Sequence, residues 1–237
     1  MNKKIVVVFG GSGGIGQAIC QNLKRDTVVY ATYYQNKVEI PGVEFRPCDI
    51  SRESDVKALM DDIYQINRRI DCVINAVTGK LNLQPFEKLN SEDYADSLMV
   101  NSIGGINIIK NAFSYMKQSA GVIITFLSKA SEGVPPPRMA SYVASKYALK
   151  GFIHCVREEN KNNNIKFFTI SPSFVETDLI SVFPPKLLEI EREKTPGQSF
   201  IHPEDIGLLV AKMINNPRSF LSPDIVLNSR EDIQRFL

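Results

Sequence analysis

The stretch "IVVVFGGSGGIGQAI", from Ile5 to Ile19, decides the fold class of this chain. An apolar run typical of a buried strand leads directly into five glycines, and a segment with helical spacing follows. Glycines at such a junction let the backbone turn tightly and approach a pyrophosphate, and the N-terminus of the following helix offers free N–H groups. We therefore expect a dinucleotide-binding βα unit at the start of the chain.

These glycines fit two registers of a nucleotide-binding turn. The spacing Gly11-x-Gly13-x-x-Gly16 is the general dinucleotide fingerprint, and Gly10-x-x-x-Gly14-x-Gly16 is the alternative. The chemistry is the same in both registers, because the backbone approaches the pyrophosphate at the glycines. Motifs much further along the chain are needed to distinguish the two registers.

The composition gives no sign of a nucleic-acid or membrane partner. The chain has 237 residues, 43% of them hydrophobic, and a formal net charge of +2 with scattered lysines and arginines. Such a charge provides no basic patch for nucleic acid or an anionic membrane. No apolar run approaches the length that spans a bilayer, and the first run breaks into glycine too early for a signal peptide. We expect a cytoplasmic protein.

Cysteine and histidine usage predicts that the chain binds no metal. Cys20, Cys48, Cys72 and Cys155 occur singly in apolar segments without a CxxC pair. This distribution favours buried, inert thiols over a zinc site or a disulfide framework. The two histidines have no plausible cysteine or carboxylate ligands beside them. Catalysis therefore has to use other groups.

Short runs rich in Val, Ile and Phe alternate with longer stretches of helical spacing, the pattern of a parallel sheet covered on both faces. We predict a doubly wound α/β fold, of the Rossmann type, in one domain that spans residues 1–237. The predicted strands are Lys4–Phe9, Thr27–Thr32, Val43–Pro47, Cys72–Asn75, Val122–Leu127, Lys166–Ile170 and Ile225–Leu227. The predicted helices are Ile15–Lys24, Arg52–Asn67, Glu92–Lys117, Ala140–Asn160 and Pro203–Asn215.

Two stretches depart from this alternation. Residues 131–141 contain three consecutive prolines, which predicts a stiff loop. Residues 178–201 mix apolar and charged residues between proline breaks. A long irregular segment of this kind is often a lid over a ligand, and a plain surface helix is the equally supported alternative.

Tyr142 and Lys146 lie four residues apart in a predicted helix, so their side chains share one face. This pairing has a chemical use, because a phenol is a poor proton donor or acceptor at neutral pH. A nearby ammonium stabilises the phenolate and moves the pKa of the phenol toward the working range. The spacing alone occurs by chance in many helices, so the motif depends on its setting.

Ser128 supplies that setting, because it ends a predicted strand and points into the crevice where open α/β sheets bind ligands. With it, the chain resembles the short-chain dehydrogenase/reductase family from Ile5 to about Asn215. The resemblance selects the register of Gly10, Gly14 and Gly16. The remaining matches, in chain order, are Asp49 in "PCDIS", Asn75 in "DCVINA", Asn101 in "VNSIGG", Ser128, Tyr142 with Lys146, and the segment "SPSFVETDL".

The resemblance implies hydride transfer between a nicotinamide nucleotide and a substrate carbon, with four catalytic residues. In the reductive direction Tyr142 protonates the developing alkoxide and Ser128 hydrogen-bonds the carbonyl oxygen. Lys146 binds the nicotinamide ribose and lowers the pKa of the tyrosine, and Asn101 holds a water that links Lys146 to bulk solvent. These residue types are chemically suited to the roles.

The resemblance also implies a set of nucleotide-binding residues. Ser12, Asp49 and Thr177 each fit a structural interpretation as well, as turn filler, turn former and helix N-cap. The nucleotide-binding residues are Gly10, Ser12, Gly14, Ile15, Gly16, Thr32, Tyr33, Asp49, Ile50, Asn75, Ala76, Tyr142, Lys146, Pro172, Val175 and Thr177.

The end of the second predicted strand indicates NADP rather than NAD. An acid at this point would accept from the ribose 2′-hydroxyl and repel a 2′-phosphate. The chain has Thr32 and Tyr33 here and no acid before Glu39. No arginine fills the position either, so Lys37 and the Thr32 hydroxyl are the candidate phosphate partners.

Three departures from the family pattern are visible. Val77 and Thr78 are bulkier than the Ala-Gly of the family, where the nucleotide would pass. Ser173 replaces a glycine after Pro172, and the chain lacks the terminal Gly-Gly of the family. None of these changes removes a catalytic group.

Residues 85–105 and 193–214 are similar to 3-oxoacyl-thioester reductases. The expected substrate is a small carbonyl compound or alcohol, and an acyl carrier protein is a possible carrier. Alternatives are a reductase of a secondary-metabolite, sugar or steroid-like ketone, and a non-catalytic NADP-binding sensor or scaffold. The family resemblance also predicts a homodimer or homotetramer through Glu92–Lys117 and Ala140–Asn160.

Overall fold

The computed structural model describes residues 3–116 and 120–237. All seven predicted strands are present and pair in parallel into one sheet, which confirms the doubly wound α/β fold. The strands are β1 (Lys4–Phe9), β2 (Thr27–Tyr33), β3 (Val43–Pro47), β4 (Cys72–Asn75), β5 (Val122–Phe126), β6 (Lys166–Pro172) and β7 (Asp224–Leu227). Their order across the sheet is β3-β2-β1-β4-β5-β6-β7.

The helices cover both faces of the sheet. The five predicted helical segments are helical, and the structure adds two further helices, Pro185–Lys194, which lies between two of them, and Arg230–Gln234, which follows the last. The helices are α1 (Gly14–Leu23), α2 (Glu53–Asn67), α3 (Ser91–Ser97), α4 (Gly104–Met116), α5 (Ala140–Glu159), α6 (Pro185–Lys194), α7 (Pro203–Asn215) and α8 (Arg230–Gln234).

The predicted helix Glu92–Lys117 is divided in the structure. A π-helical turn, Leu98–Ile103, separates α3 from α4, and Lys117 lies outside the described residues. The turn ends with the Gly104 N–H donating to the carbonyl of Met99, five residues earlier. Helical spacing in a sequence does not separate α from π turns, which are rare and frequent at functional sites.

Alternate residues of the strands pack on opposite faces, as the period of a strand requires. On one face Val6 and Val8 lie in the same core cluster as residues of α1 and α7. On the other face Val7 and Phe9 cluster with residues of α2, α4 and α5. Both faces of the sheet are therefore buried, which fits the continuous apolar run of β1.

The strand order reverses between β1 and β4. After β1 the chain builds β2 and β3 on one side, and it then returns to place β4 on the other side of β1. Phe9 and Asn75 are opposite each other in this pair, at the carboxyl ends of the two strands. Ligands of open α/β sheets bind in the crevice at such a switch point.

The C-terminal segment packs on the sheet without the family's terminal glycines. β7 pairs with β6, and Ile233 in α8 is fully buried. The ring of Phe236 stacks on Phe220 with centroids 5.8 Å apart. Among the described residues, none of the helices has the length and apolar character needed to span a membrane.

Candidate active site

The glycine loop, residues 10–16, connects β1 to α1 under tight steric limits. Gly10 has φ +79°, and a Cβ there would lie 2.9 Å from the backbone of Ala76. A Cβ on Gly16 would lie 2.1 Å from the Gly10 carbonyl oxygen, and one on Gly14 would lie 2.5 Å from Cγ2 of Thr177. These distances allow only glycine at all three positions of the register that the resemblance selects.

Gly13, a member of the other register, has more room. A Cβ there would lie 3.5 Å from the Gly10 oxygen, an ordinary contact. Gly13 is the N-cap of α1, and neither a capping side chain nor an acidic residue occupies the first turn of the helix. The half-buried Ser12 accepts from the Gln17 amide through its carbonyl. The loop is thus a cradle with free helix N–H groups, which fits a pyrophosphate.

Thr32 lies at the end of β2 and is 2% exposed. Its hydroxyl accepts the Gly10 N–H at 3.1 Å, so it holds the glycine loop and keeps its own proton available to donate. Tyr33 is half-buried beside it. Lys37 is exposed and lies 3.4 Å from Glu39. The two candidate phosphate partners are therefore each engaged by another group of the protein.

Asp49 and Ile50 lie in the loop after β3 and hold that loop in place. The Asp49 carboxylate accepts from the Ser51 N–H at 3.0 Å and from the Ser51 hydroxyl at 2.6 Å, the contacts of a turn former. Ile50 is buried, its side chain lies against Gly104, and its carbonyl accepts from the Asn107 amide at 3.0 Å. Neither residue lines the central cavity.

That cavity has a volume of about 750 Å³ and opens at the carboxyl ends of the strands. The strand ends contribute Ala76, Thr78, Phe126, Ser128 and Pro172, and the glycine loop contributes Ile15. Val175, Thr177 and Tyr142 complete the inner side.

Ser128, Tyr142 and Lys146 meet at the base of the cavity. The Ser128 hydroxyl hydrogen-bonds the Tyr142 phenol and accepts the Ala130 N–H at 3.1 Å. Lys146 is 1% exposed, and its Nζ lies 5.7 Å from the centroid of the Tyr142 ring. The helical spacing of the tyrosine and the lysine therefore places them side by side, as their positions in α5 require.

Burial sets the protonation of both groups. It raises the pKa of Tyr142 above its usual value, and the hydrogen bond from Ser128 offsets part of this effect. It lowers the pKa of Lys146 to about 8, because burial removes the ammonium from water. The phenol therefore holds its proton at neutral pH, in position to donate it.

Thr78 is a contact of Lys146 that the sequence analysis did not assign. The Lys146 Nζ donates to the Phe126 carbonyl at 3.2 Å and to the Thr78 hydroxyl at 3.5 Å. The only sequence signal for this contact is the bulk of Thr78 at a position where the family has glycine. Asn75 shapes the same loop, since its side chain accepts the Val77 N–H at 3.1 Å.

The side-chain hydrogen bonds of Asn101 go to groups other than Ser128, Tyr142 and Lys146. It is buried within the π-helical turn, where its carbonyl oxygen accepts the Gly79 N–H at 2.8 Å. Its amide donates to the Ser145 hydroxyl at 3.0 Å. Asn101 thus ties the loop that carries Thr78 to α5.

Thr177 packs on the glycine loop instead of capping a helix. The 3₁₀ turn Asp178–Val182 follows it, and the Thr177 side chain makes no capping hydrogen bond there. Its methyl group lies against Gly14. Val175 precedes it and forms a parallel bridge with Ile201, which closes the base of the segment 178–201.

The outer wall of the cavity comes from two irregular segments, residues 129–139 and 178–187, and from Leu81 and Leu83. The first is the proline-rich loop, and the second contains the 3₁₀ turn and the start of α6. Residues 178–201 contain the surface helix of one alternative, and the segment also borders the cavity, so the lid stays a prediction. The wall residues that the sequence analysis missed include Leu81, Leu83, Met139, Leu179, Phe183, Leu187, Lys129 and Arg138.

Similarity to a known protein family identifies the family of this chain. The family model described as short chain dehydrogenase matches residues 4–186. The chain belongs to the short-chain dehydrogenase family. It is an NAD(P)-dependent oxidoreductase that acts on CH–OH and C=O groups of small molecules.

Curated relatives of this short-chain dehydrogenase have different names. L-fucose dehydrogenase of Oryctolagus cuniculus is 28% identical over 74% of this chain and 64% of its own length, just under two thirds. Carbonyl reductase family member 4 of Xenopus laevis is 27% identical over 90% of this chain and 92% of its own length. The ligand-free aldohexose dehydrogenase of Thermoplasma acidophilum is similar in structure, with a TM-score of 0.86 at 21% identity over 97% of this chain and 93% of its own. The structural likeness supports the fold alone.

Proposed function

We propose that this short-chain dehydrogenase is an NADPH-dependent reductase that converts the carbonyl of a 3-oxoacyl thioester to a secondary alcohol. The observation that carries the proposal is the apolar wall in front of Ser128 and Tyr142. Leucines, prolines and Phe183 line the cavity together with these hydroxyls, and Phe183 packs against the cluster that contains Tyr142. Such a wall suits an acyl chain, because its burial stabilises the complex in proportion to the apolar area removed from water.

The side chains divide the reaction among them as follows. The bound nucleotide supplies the hydride. Ser128 hydrogen-bonds the carbonyl oxygen, and Tyr142 donates its proton to that oxygen as the alcohol forms. Lys146 binds the nicotinamide ribose, and its positive charge stabilises the phenolate that remains on Tyr142. The phenolate regains its proton by way of Lys146, and Asn101, which positions the loop of Thr78, would hold a water that replaces the proton on Lys146.

The glycine loop and the ends of β2, β4 and β6 would hold the nucleotide. The steric cradle at Gly10, Gly14 and Gly16 fits its pyrophosphate. The preference for NADPH rests on the end of β2, where Thr32 replaces the acid that would repel a 2′-phosphate. The selectivity should be modest, since no arginine fork meets the phosphate.

A sugar is the second candidate substrate. The observation in its favour is the similarity to L-fucose dehydrogenase over 74% of this chain. A free sugar presents many hydroxyls, and burial of a hydroxyl without a hydrogen-bond partner is costly. The largely apolar outer wall therefore favours the acyl chain.

We also propose a homo-oligomer, dimer or tetramer, that uses the segment Glu92–Lys117 and α5. Leu98, Met99 and Ile103 in the π-helical turn and Tyr147 in α5 are large apolar side chains, each between 38% and 46% exposed. Exposed apolar groups clustered in this way suit a subunit interface. Light scattering is expected to give at least twice the mass of one chain, and the mass of a single chain would contradict the proposal.

A substrate panel tests the proposed reaction. NADPH oxidation is measured with 3-oxooctanoyl-coenzyme A and with cyclic ketones, and NADP⁺ reduction is measured with L-fucose and other aldoses. We expect the thioester to give the highest kcat/KM. A higher value for an aldose would replace the proposal with the second candidate, and nucleotide binding without turnover of any compound would indicate a sensor or scaffold.

A further inference from the structure

Charged side chains at the mouth of the cavity are unevenly paired. Both carboxylates that line the cavity have cationic partners. Glu132 is 2.6 Å from the Lys150 ammonium and also accepts from the Ser171 hydroxyl at 2.9 Å. Glu191 is 2.8 Å from Lys194 on the same helix. Neither carboxylate is therefore left to balance a further positive charge.

Unlike these carboxylates, the two cations that line the cavity, Lys129 and Arg138, have no partners of opposite charge among the described residues. Both are exposed, and neither side chain forms an ion pair or a hydrogen bond within residues 3–116 and 120–237. Lys129 directly follows Ser128, and Arg138 lies four residues before Tyr142. The mouth of the cavity thus carries two unpaired positive charges close in sequence to the two hydroxyls at its base.

Arg138 occupies its position at a local cost. Its backbone has φ +66°, a left-handed conformation that is uncommon for residues other than glycine. It directly precedes Met139, the N-cap of α5, where the helix dipole disfavours a cation. The Gln84 N–H donates to the Arg138 carbonyl at 3.0 Å and fixes this backbone. A strained position with an unpaired charge beside a ligand cavity points to a functional role for the side chain.

We infer that the substrate carries an anionic group, a carboxylate or a phosphate, that pairs with Lys129 and Arg138 while its carbonyl lies at Tyr142. This inference rests on the proposed function and narrows its substrate to an amphipathic anion. The apolar wall takes the body of the molecule, and the two cations take its charged end. Arg138 offers a fork that matches either oxyanion, and Lys129 adds a second charge.

The expected size of the effect follows from the exposure of both cations. Exposed ion pairs contribute little individually, about 0.2–1 kcal/mol each. Two pairs that act on one group therefore change affinity by roughly twofold to thirtyfold. The effect should also fall with added salt, since exposed charges are screened.

A binding experiment tests the inference without turnover. Octanoate and octanol are titrated calorimetrically into the full chain, with and without NADP⁺. We expect wild type to bind octanoate more tightly than octanol. The double variant Lys129→Gln, Arg138→Gln should lose roughly tenfold in octanoate affinity and keep its octanol affinity.

A matched control removes the same charges elsewhere. Lys166 and Arg218 are exposed and line a separate cavity at the opposite end of β6, so Lys166→Gln with Arg218→Gln changes the net charge equally. This control should bind octanoate as wild type does. Equal affinities of wild type for octanoate and octanol, or equal losses in the two double variants, would overturn the inference.

Kinetic measurements identify the source of the anion. The first pair of compounds is 3-oxooctanoate and its methyl ester, and the second is 3-oxooctanoyl-coenzyme A and the neutral N-acetylcysteamine thioester. If the Lys129→Gln, Arg138→Gln variant loses kcat/KM only with 3-oxooctanoate, the anion is a carboxylate. If it loses kcat/KM only with 3-oxooctanoyl-coenzyme A, the anion is a phosphate. Turnover of the neutral compounds without any preference for the anions contradicts the inference and leaves the proposed function intact.

Discussion

The glycine loop on one side of the cavity and the outer wall on the other are held in place in different ways. In the glycine loop the backbone of Gly16 packs directly against that of Gly10, and a Cβ on Gly16 would lie 2.1 Å from the Gly10 oxygen. In the outer wall Val134 is 95% exposed and Leu187 is 38% exposed. A side chain added at Gly10 or Gly16 would force the backbone to move, whereas exposed residues of the wall can change with the fold intact. The nucleotide side is therefore constrained, and substrate preference depends on the wall.

Tyr142 lies where the two sides meet, and its replacement should have the largest effect. We expect Tyr142→Phe to lower kcat by about 10³-fold, because it removes the proton donor and little else. Nucleotide affinity, measured by calorimetry, should stay close to that of wild type. A variant that retains most of its kcat would show that another group supplies the proton.

Gly16→Ala tests the constraint in the glycine loop. The added methyl group would overlap the Gly10 carbonyl, so the loop must move at a cost of about 1–3 kcal/mol. We expect weaker nucleotide binding and a lower midpoint of thermal unfolding. Gly13→Ala is the control, because its Cβ would make only an ordinary contact at 3.5 Å. Equal losses in the two variants would contradict the steric difference between Gly16 and Gly13.

The buried Lys146 makes stability depend on pH in a defined direction. Its pKa is lowered to about 8 in the folded state, below the value of 10.5 for an unperturbed lysine. The unfolded chain therefore binds more protons between these values, and the free energy of unfolding gains a contribution that rises with pH. Relative to Lys146→Met, wild type should gain about 1–2 kcal/mol between about pH 8 and about pH 9.5.

Chemical denaturation at the two pH values measures this gain. Burial raises the pKa of the Cys20 and Cys48 thiols to about 12, and both proteins contain these groups, so their titration cancels in the difference. A difference that stays flat or falls would mean that Lys146 is charged without penalty in the folded protein.

Thr32→Asp tests the nucleotide preference. A carboxylate at the end of β2 repels a 2′-phosphate by about 1–4 kcal/mol in a partly screened cleft, which corresponds to about fivefold or more in affinity. Thr32→Asn has the same shape without the charge and serves as the control. The ratio of kcat/KM for NADPH and NADH is the measurement, and a wild-type preference for NADH would contradict our interpretation of this strand end.

Much of the fold could be predicted from the sequence, because apolar runs and glycine spacing report directly on buried strands and tight turns. β1, β3 and β4 begin and end at the predicted residues. The π-helical turn at Asn101 could not be predicted, since helical spacing is nearly the same for both helix types. Ser128, Tyr142 and Lys146 come together as their positions at a strand end and on one helix face imply.

The rest of the site depends on contacts between distant segments. Asp49 matched the family motif, yet its carboxylate is occupied by Ser51 of the same turn. The outer wall joins residues near Leu81, Arg138 and Leu179, which no local pattern connects. Their relation depends on loop conformations such as the left-handed backbone of Arg138, and a sequence gives no such information.

The contact between Thr177 and Gly14 has a consequence for the order in which ligands bind. The outer wall begins one residue after Thr177, whose methyl group rests on the glycine loop. A nucleotide bound in the glycine loop would therefore fix the position of Thr177, and with it the start of the outer wall, before the substrate binds. We expect ordered addition, with the nucleotide first on and last off, and product-inhibition kinetics with the oxidised nucleotide competitive against the reduced one.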